Sequence, residues 1–289
     1  MKLLSTVVLL LSLRSTAAVF KICAFNIKSF GEAKASNQKI MNTLVKIVSR
    51  CDICTIQEVR DSKGEAIPAL VKEINKYDRL HRYTHLESKR LGKNSYKEQL
   101  VFIYRSDVVK VMDLYQYTED QDDHSEAFAR EPFIVRFHSP KTAIKDFVLI
   151  SHHTCPRDAA KEINKLLEVV LEVKGLWRTE NIMLLGDLNA SCGYVTIEQW
   201  KRIKMRSSDT FHWLIGDKDD TTVSHKSRCA YDRIVVHGED FLKGIVPGSA
   251  KPFNFKKTLG LSEEEALEVS DHFPVEVNLR QDPRTEREL

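Results

Sequence analysis

Short apolar runs recur along the chain, at residues 19–27, 51–57, 99–104, 147–151, 182–185, 234–236 and 275–279. They are rich in β-branched and aromatic side chains and read as strands. Most are apolar at nearly every position rather than at alternate ones, as expected of strands covered on both faces. Between them lie stretches with a helical period. In residues 39–50, Ile40, Leu44, Ile47 and Val48 share one face, at i, i+4, i+7 and i+8. Residues 65–76 and 158–177 follow the same spacing, the second opening on Pro156-Arg157-Asp158, a helix start. Covered strands alternating with helices predict an α/β domain of sheets under helical layers. No internal repeat, low-complexity tract or Pro/Gly/Ser linker divides the sequence.

Composition narrows the class. With 289 residues, 42% hydrophobic, 29% charged, and only 11 Gly and 8 Pro, the chain has enough apolar content for a core and too little Gly and Pro for a collagen or a linker-like polymer. Mean hydropathy is −0.32, and no apolar run beyond the N-terminus is long enough to span a membrane as a helix. The N-terminus differs: Lys2, an apolar stretch over residues 3–13, then Ser15-Thr16-Ala17-Ala18. That is the pattern of a secretory signal peptide over residues 1–18, cleaved after Ala18. It predicts a secreted protein routed through the endoplasmic reticulum, one domain over residues 19–281, and a flexible polar tail over 282–289. Without Lys2 and Arg14, 42 basic residues face 41 acidic ones, so a polyanionic partner must be met by a local patch. The six cysteines would lie in an oxidising compartment, where disulfides persist. Cys51-Asp52-Ile53-Cys54 is a CxxC, but it opens a strand and no second pair or histidine pair follows, which disfavours redox and zinc roles.

The polar residues that bound the strands carry the chemistry. Asn26 ends the first run and Glu58 the second; His152 and His153 end a third; Asp187 and Asn189 end a fourth; Asp232 precedes 234–236, and Asp271-His272 precedes the last strand. Polar groups at strand ends can converge on one face from distant parts of a sequence. Carboxylate and amide oxygens are hard ligands suited to Mg²⁺, Mn²⁺ or Ca²⁺, which leaves the histidines free to move protons. Taken singly, each is as readily a solvated cap or a structural hydrogen bond.

Together, and in this order, they resemble the secreted deoxyribonuclease I family of the endonuclease/exonuclease/phosphatase superfamily. The matching strings are Cys-Ala-Phe-Asn26, Gln-Glu58-Val-Arg60-Asp, Asn94-Ser-Tyr96-Lys-Glu98, Ala-Arg130-Glu-Pro, His153-Thr-Cys-Pro, Gly-Asp187-Leu-Asn189-Ala, Cys229-Ala-Tyr-Asp232-Arg-Ile-Val and Ser-Asp271-His272-Phe-Pro. The chain most resembles the deoxyribonuclease gamma-like branch. The resemblance implies a four-layer α/β/β/α sandwich, two packed mixed sheets flanked by helices, with the active site at one edge. It implies a monomeric endonuclease that hydrolyses double-stranded DNA with little sequence specificity, leaving 5′-phosphates, and it admits actin as an inhibiting partner. Asn26, Glu58 and Asp187 would hold or orient Mg²⁺ or Mn²⁺, with Asn189 and Asp271 nearby. His272 with Asp232 would activate water, and His153 with Glu98 would protonate the leaving group. Arg60, Tyr96 and Arg130 match DNA-contacting positions, and Lys89, Arg90, Lys93 and Lys97 in the same segment would add phosphate contacts or form an ordinary solvated loop. Cys192 and Cys229 match a structural disulfide, Cys23 and Cys51 are candidates for a second, and Asp220 with Thr222 resembles a structural Ca²⁺ site. Cys54 and Cys155 have no assigned partner.

Two residues depart from the pattern. His152 stands where an apolar residue is usual, and is expected to perturb the charge of His153. Asn189-Ala190-Ser191 is a glycosylation sequon, expected to stay unoccupied because a glycan on Asn189 would block the site. A different hydrolase on the same fold, acting on sphingomyelin or phosphoinositides, is disfavoured by Arg60, Tyr96 and the string ending at Asp232. A catalytically dead binder is disfavoured because every proton-transfer and metal position carries a competent side chain.

Overall fold

The computed structural model describes residues 19–93, 95–119 and 127–282. The strands are β1 (Phe20–Phe30), β2 (Ile53–Val59), β3 (Tyr83–Glu87), β4 (Gln99–Arg105), β5 (Lys110–Gln116), β6 (Phe133–His138), β7 (Asp146–His153), β8 (Ile182–Asp187), β9 (Phe211–Trp213), β10 (Asp232–His237), β11 (Lys251–Pro252) and β12 (Val275–Leu279). The helices are α1 (Glu32–Ala35), α2 (Gln38–Val48), α3 (Ala66–Tyr77), α4 (Ala159–Trp177), α5 (Ile197–Arg202), α6 (Lys204–Ser207), α7 (Glu239–Gly244), α8 (Phe255–Leu259) and α9 (Glu263–Val269). All seven strands and three helices read from the apolar pattern are present, displaced by at most a few residues at their ends. Five strands, β3, β5, β6, β9 and β11, were not read; of these, β5 is an edge strand of mixed polarity, half exposed at Met112 and Leu114.

Six strands form one sheet, ordered β11-β12-β1-β2-β4-β3, and six form a second, ordered β5-β6-β7-β8-β10-β9. Alternation of side chains along each strand builds the layers. In β1, Ile22 and Ala24 face the second sheet, while Cys23, Phe25 and Ile27 face α2, α3 and α9. In β7, Phe147 and Leu149 face the first sheet, while Val148 and Ile150 pack on Ile163, Leu166 and Val170 of α4. The order is therefore helices, sheet, sheet, helices, as the resemblance implied. Each buried Phe or Leu contributes about 1.5–3 kcal/mol through removal from water.

Helix starts follow from local sequence. The Asn37 side chain caps α2 by accepting from the N–H groups of Lys39 and Ile40, at 3.0 and 3.3 Å. Pro156–Asp158 forms a single 3₁₀ turn that leads into α4. Two disulfides close the chain, Cys23–Cys51 and Cys192–Cys229; Cys54 and Cys155 are free. The chain is held through residue 282, the first residue of the expected polar tail. Thr142 bridges to Gln281, Asp282 donates its N–H to Lys141, and its carboxylate lies 3.2 Å from Lys145 Nζ. The segment expected to be a signal peptide, Asn94 and residues 283–289 lie outside the described residues.

Candidate active site

Strand direction brings the polar residues together. β1 runs parallel to β2 and β7 parallel to β8, whereas β4, β10 and β12 run antiparallel to β2, β8 and β1. The C-terminal ends of the first set and the N-terminal ends of the second therefore share one edge. Alternation then decides direction: Asn26 continues the inward face of Ile22 and Ala24, His153 that of Phe147 and Leu149, Asp187 that of Met183 and Leu185, and Asp232 that of Ile234 and Val236. One layer deeper, the Thr55 and Ser151 hydroxyls bond each other between the sheets.

Three contacts form the centre, and each joins one sheet to the other. His153 Nδ1 lies 2.6 Å from Glu98 Oε1, His272 Nδ1 lies 2.8 Å from Asp232 Oδ2, and Asn26 Nδ2 donates to Asp187 Oδ2 at 3.0 Å. With Nδ1 committed to a carboxylate, each imidazole presents Nε2, and both Nε2 atoms face the same oxygen, Asp187 Oδ2, at 3.5 and 3.6 Å. Burial alone would lower the pKa of His153, but Glu98 outweighs it and raises the net value. His272 is likewise lowered by burial and raised by Asp232 and Asp187, ending at about 10. Burial disfavours ionised Asp187, yet His272, His153 and the Asn189 N–H hold its pKa below the usual carboxylate range.

Glu58 reaches the centre by a different device. Alternation would send it toward the helices with Cys54 and Ile56. Instead the β2 register shifts between Ile56 and Val59, and Glu58 takes a left-handed φ of 60°. Its Oε1 accepts from Asn26 Nδ2 at 3.0 Å, and its Oε2 from the Ser29 N–H at 2.9 Å. One amide group thus draws two carboxylates, Glu58 and Asp187, toward each other. A pair of oxygen donors so placed fits a hard divalent cation. Asn26 was expected to hold or orient the ion; here its oxygen accepts the Lys28 N–H at 2.9 Å and its nitrogen donates to both carboxylates, an orienting arrangement. Asn189 donates its N–H to Asp187 Oδ1 and its Nδ2 to Thr154 O. Its left-handed φ and burial also leave the sequon amide inaccessible. The Asp271 side chain is half exposed, 4.0 Å from Lys28 Nζ, and its charge adds to those that raise the pKa of His272.

Of the expected DNA contacts, Arg60 and Tyr96 stand together on the surface, the guanidinium 4.1 Å over the ring. Arg130, expected as a third contact, is buried, with Nε and one amino nitrogen donating to His153 O and Thr154 O, and Nε 3.2 Å from Glu98. Arg90 and Lys97 fold back onto the carbonyls of Asp61 and Gly92, so the basic segment is partly self-satisfied. Asp220 Oδ1 accepts from Thr222 N–H, Thr222 Oγ1 and the Cys229 N–H, which makes it a loop cap beside the Cys192–Cys229 bridge. His152 points away from the centre, against Phe128 and Glu162, so the groups that shift His153 are Glu98, Arg130 and Asp187.

Two residues escaped the sequence reading. Lys34 donates to the carbonyls of Ile27, Lys28 and Val269, tying the end of β1 to the loop that carries His272; burial and Lys28 lower its pKa to about 8. Gly186 adopts a φ of 138°, and a Cβ there would collide with the His152 carbonyl. Neither has a signal in a single sequence beyond its residue type.

Residues 23–272 match the Endonuclease/Exonuclease/phosphatase family. The chain is 46% identical to deoxyribonuclease gamma of Homo sapiens over 273 residues, 94% of this chain and 89% of that one. It is 46% identical to deoxyribonuclease-1 of Sus scrofa over 280 residues, 96% and 98% of the two chains. The fold superposes on the endonuclease/exonuclease/phosphatase of Bacteroides vulgatus with a TM-score of 0.64 at 15% identity, covering 91% of this chain and 99% of that one.

Proposed function

The chain belongs to the deoxyribonuclease I family, gamma-like branch, and from that premise we propose that it is a secreted, divalent-metal-dependent endonuclease that hydrolyses double-stranded DNA with little sequence preference and leaves 5′-phosphates. The observation that carries this reading is the convergence of two carboxylate-backed imidazoles on Asp187, one from each sheet. Phosphodiester hydrolysis needs one group to take a proton from water and another to give one to the leaving 3′-oxygen.

In this reading His272, oriented by Asp232, receives the water proton at Nε2, and His153, oriented by Glu98, delivers a proton from Nε2. Each carboxylate fixes the tautomer and stabilises the imidazolium that forms. Glu58 and Asp187 would hold the cation, Mg²⁺ or Mn²⁺, with Asn26 and Asn189 orienting them. A divalent cation there supplies charge that stabilises the phosphoryl oxygens and offsets the pull of Asp187 that keeps His272 protonated. Ca²⁺ acts as a structural or activating ion. Arg60 stacked on Tyr96 is the exposed element that enters the minor groove, where it senses width more than base identity. A monomer, with actin as an inhibitor, completes the reading.

Supercoiled plasmid incubated with purified protein in Mg²⁺ plus Ca²⁺ should be nicked, and EDTA should abolish nicking. No nicking by the wild type between pH 5 and 8 would overturn the proposal, with lipid phosphodiesters the next substrates to test.

A further inference from the structure

Behind His153, on the opposite face of β7, lies a second imidazole–carboxylate pair that the proposed chemistry does not use. His152 and Glu162 are both fully buried, with His152 Nε2 3.0 Å from Glu162 Oε2. A carboxylate only accepts, so the proton sits on Nε2, and Nδ1 is left buried without a partner. The ring packs edge-on against Phe128, centroids 5.1 Å apart. The other oxygen of Glu162 accepts two main-chain N–H groups, from Ala129 at 3.2 Å and Cys155 at 3.1 Å.

Those two donors flank the residues that matter. Ala129 precedes Arg130, and Cys155 follows His153-Thr154. Arg130 in turn donates to the carbonyls of His153 and Thr154, at 2.9 and 2.8 Å, and lies 3.2 Å from the Glu98 oxygen that orients His153. The contacts close a ring: Glu162, Ala129, Arg130, Glu98, His153, His152 and back to Glu162. An apolar side chain at position 152 would break it by leaving Glu162 Oε2 buried without a donor.

We propose that His152 and Glu162 are positioning residues, a brace that holds Arg130 and His153 at the orientation needed for proton delivery to the leaving oxygen. This rests on the endonuclease reading above. Neither residue touches substrate. Their effect falls on kcat, because a small displacement of the proton donor slows the reaction without weakening DNA binding elsewhere.

The test compares wild type, His152→Leu, His152→Gln and Glu162→Gln in plasmid nicking, with kcat and KM determined separately and thermal denaturation in parallel. His152→Leu should lose about tenfold in kcat with KM within about twofold. His152→Gln keeps an N–H donor toward Glu162 and should recover most of that loss. Glu162→Gln preserves shape but weakens the charge-assisted bonds to Ala129 and Cys155, so kcat should fall by about threefold or more; this variant decides the matter if His152→Leu does not fold. Unchanged kcat in folded His152→Leu or in Glu162→Gln overturns the brace, as does His152→Gln no better than His152→Leu. An inactive wild type overturns the endonuclease reading, and the brace with it.

Discussion

Asp232→Asn isolates the carboxylate behind one of the two imidazoles proposed to move protons, while keeping its shape. Asp232 is fully buried, and His272 Nδ1 lies 2.8 Å from its Oδ2. With about 4 Å between charge centres and an effective dielectric of about 20, the attraction is on the order of 4 kcal/mol, or about three pH units. Removing it should bring His272 from about 10 down to near neutrality. The amide can still accept from Nδ1–H, but it can instead donate to Nδ1 and trap the wrong tautomer, so kcat should fall by about 10²–10⁴. Histidine titration by NMR on the metal-free protein reads the first effect, and plasmid nicking from pH 5 to 9 reads the second. Stability carries the matching sign. A raised imidazole pKa stabilises the fold fully below the ordinary value of about 6.5, while Asp232 stays ionised, and that contribution is lost as pH rises through about 10. The stability gap between wild type and variant should therefore narrow from pH 7 to 10. An unmoved His272 titration, or kcat within threefold of wild type throughout, would refute the coupling.

His153→Ala should lower kcat by about 10²–10⁴, and His152 cannot replace it because its ring faces α4; nicking within tenfold of wild type would contradict that geometry. Arg60→Ala removes the exposed cation over Tyr96 and should raise KM about two- to fivefold at unchanged kcat, so a loss confined to kcat would move Arg60 into the chemistry. Replacing Cys23 and Cys51 by Ser opens a bridge with a sequence separation of 28 residues. On the chain-entropy account this removes about 3.5 kcal/mol, or about 7 °C of Tm in calorimetry; an unchanged Tm would show that the bridge is not closed in the purified protein.

The residues of the centre were legible from their place at strand ends and from the family strings; the period of two in side-chain direction is the physical reason they converge. In β7 the residues that share parity with Phe147 and Leu149 go inward, which sends His153 to the centre and His152 to the helix layer. The same count places Asn26, Asp187 and Asp232. It fails at Glu58, where a left-handed residue and a register shift override alternation, and no pattern of residue types announces such a backbone. It is silent on Arg130, whose partners are carbonyls distant in sequence, so its burial could not be read. The direction of the Asn26 amide is set by the Lys28 N–H on its oxygen and two carboxylates on its nitrogen, partners no local pattern announces. Strand β5 was missed because its half-exposed edge dilutes the apolar signal.

Three pairs at the centre span the two sheets: Glu98 with His153, His272 with Asp232, Asn26 with Asp187. Neither half of the sandwich owns a complete proton-transfer couple. During refolding, turnover should appear only when the sheets have docked, after secondary structure has formed and independently of the order in which the two halves form. Recovered activity then serves as a clock for that last event, and any agent that pries the sheets apart at this rim would inactivate the protein while leaving most of its backbone hydrogen bonds in place.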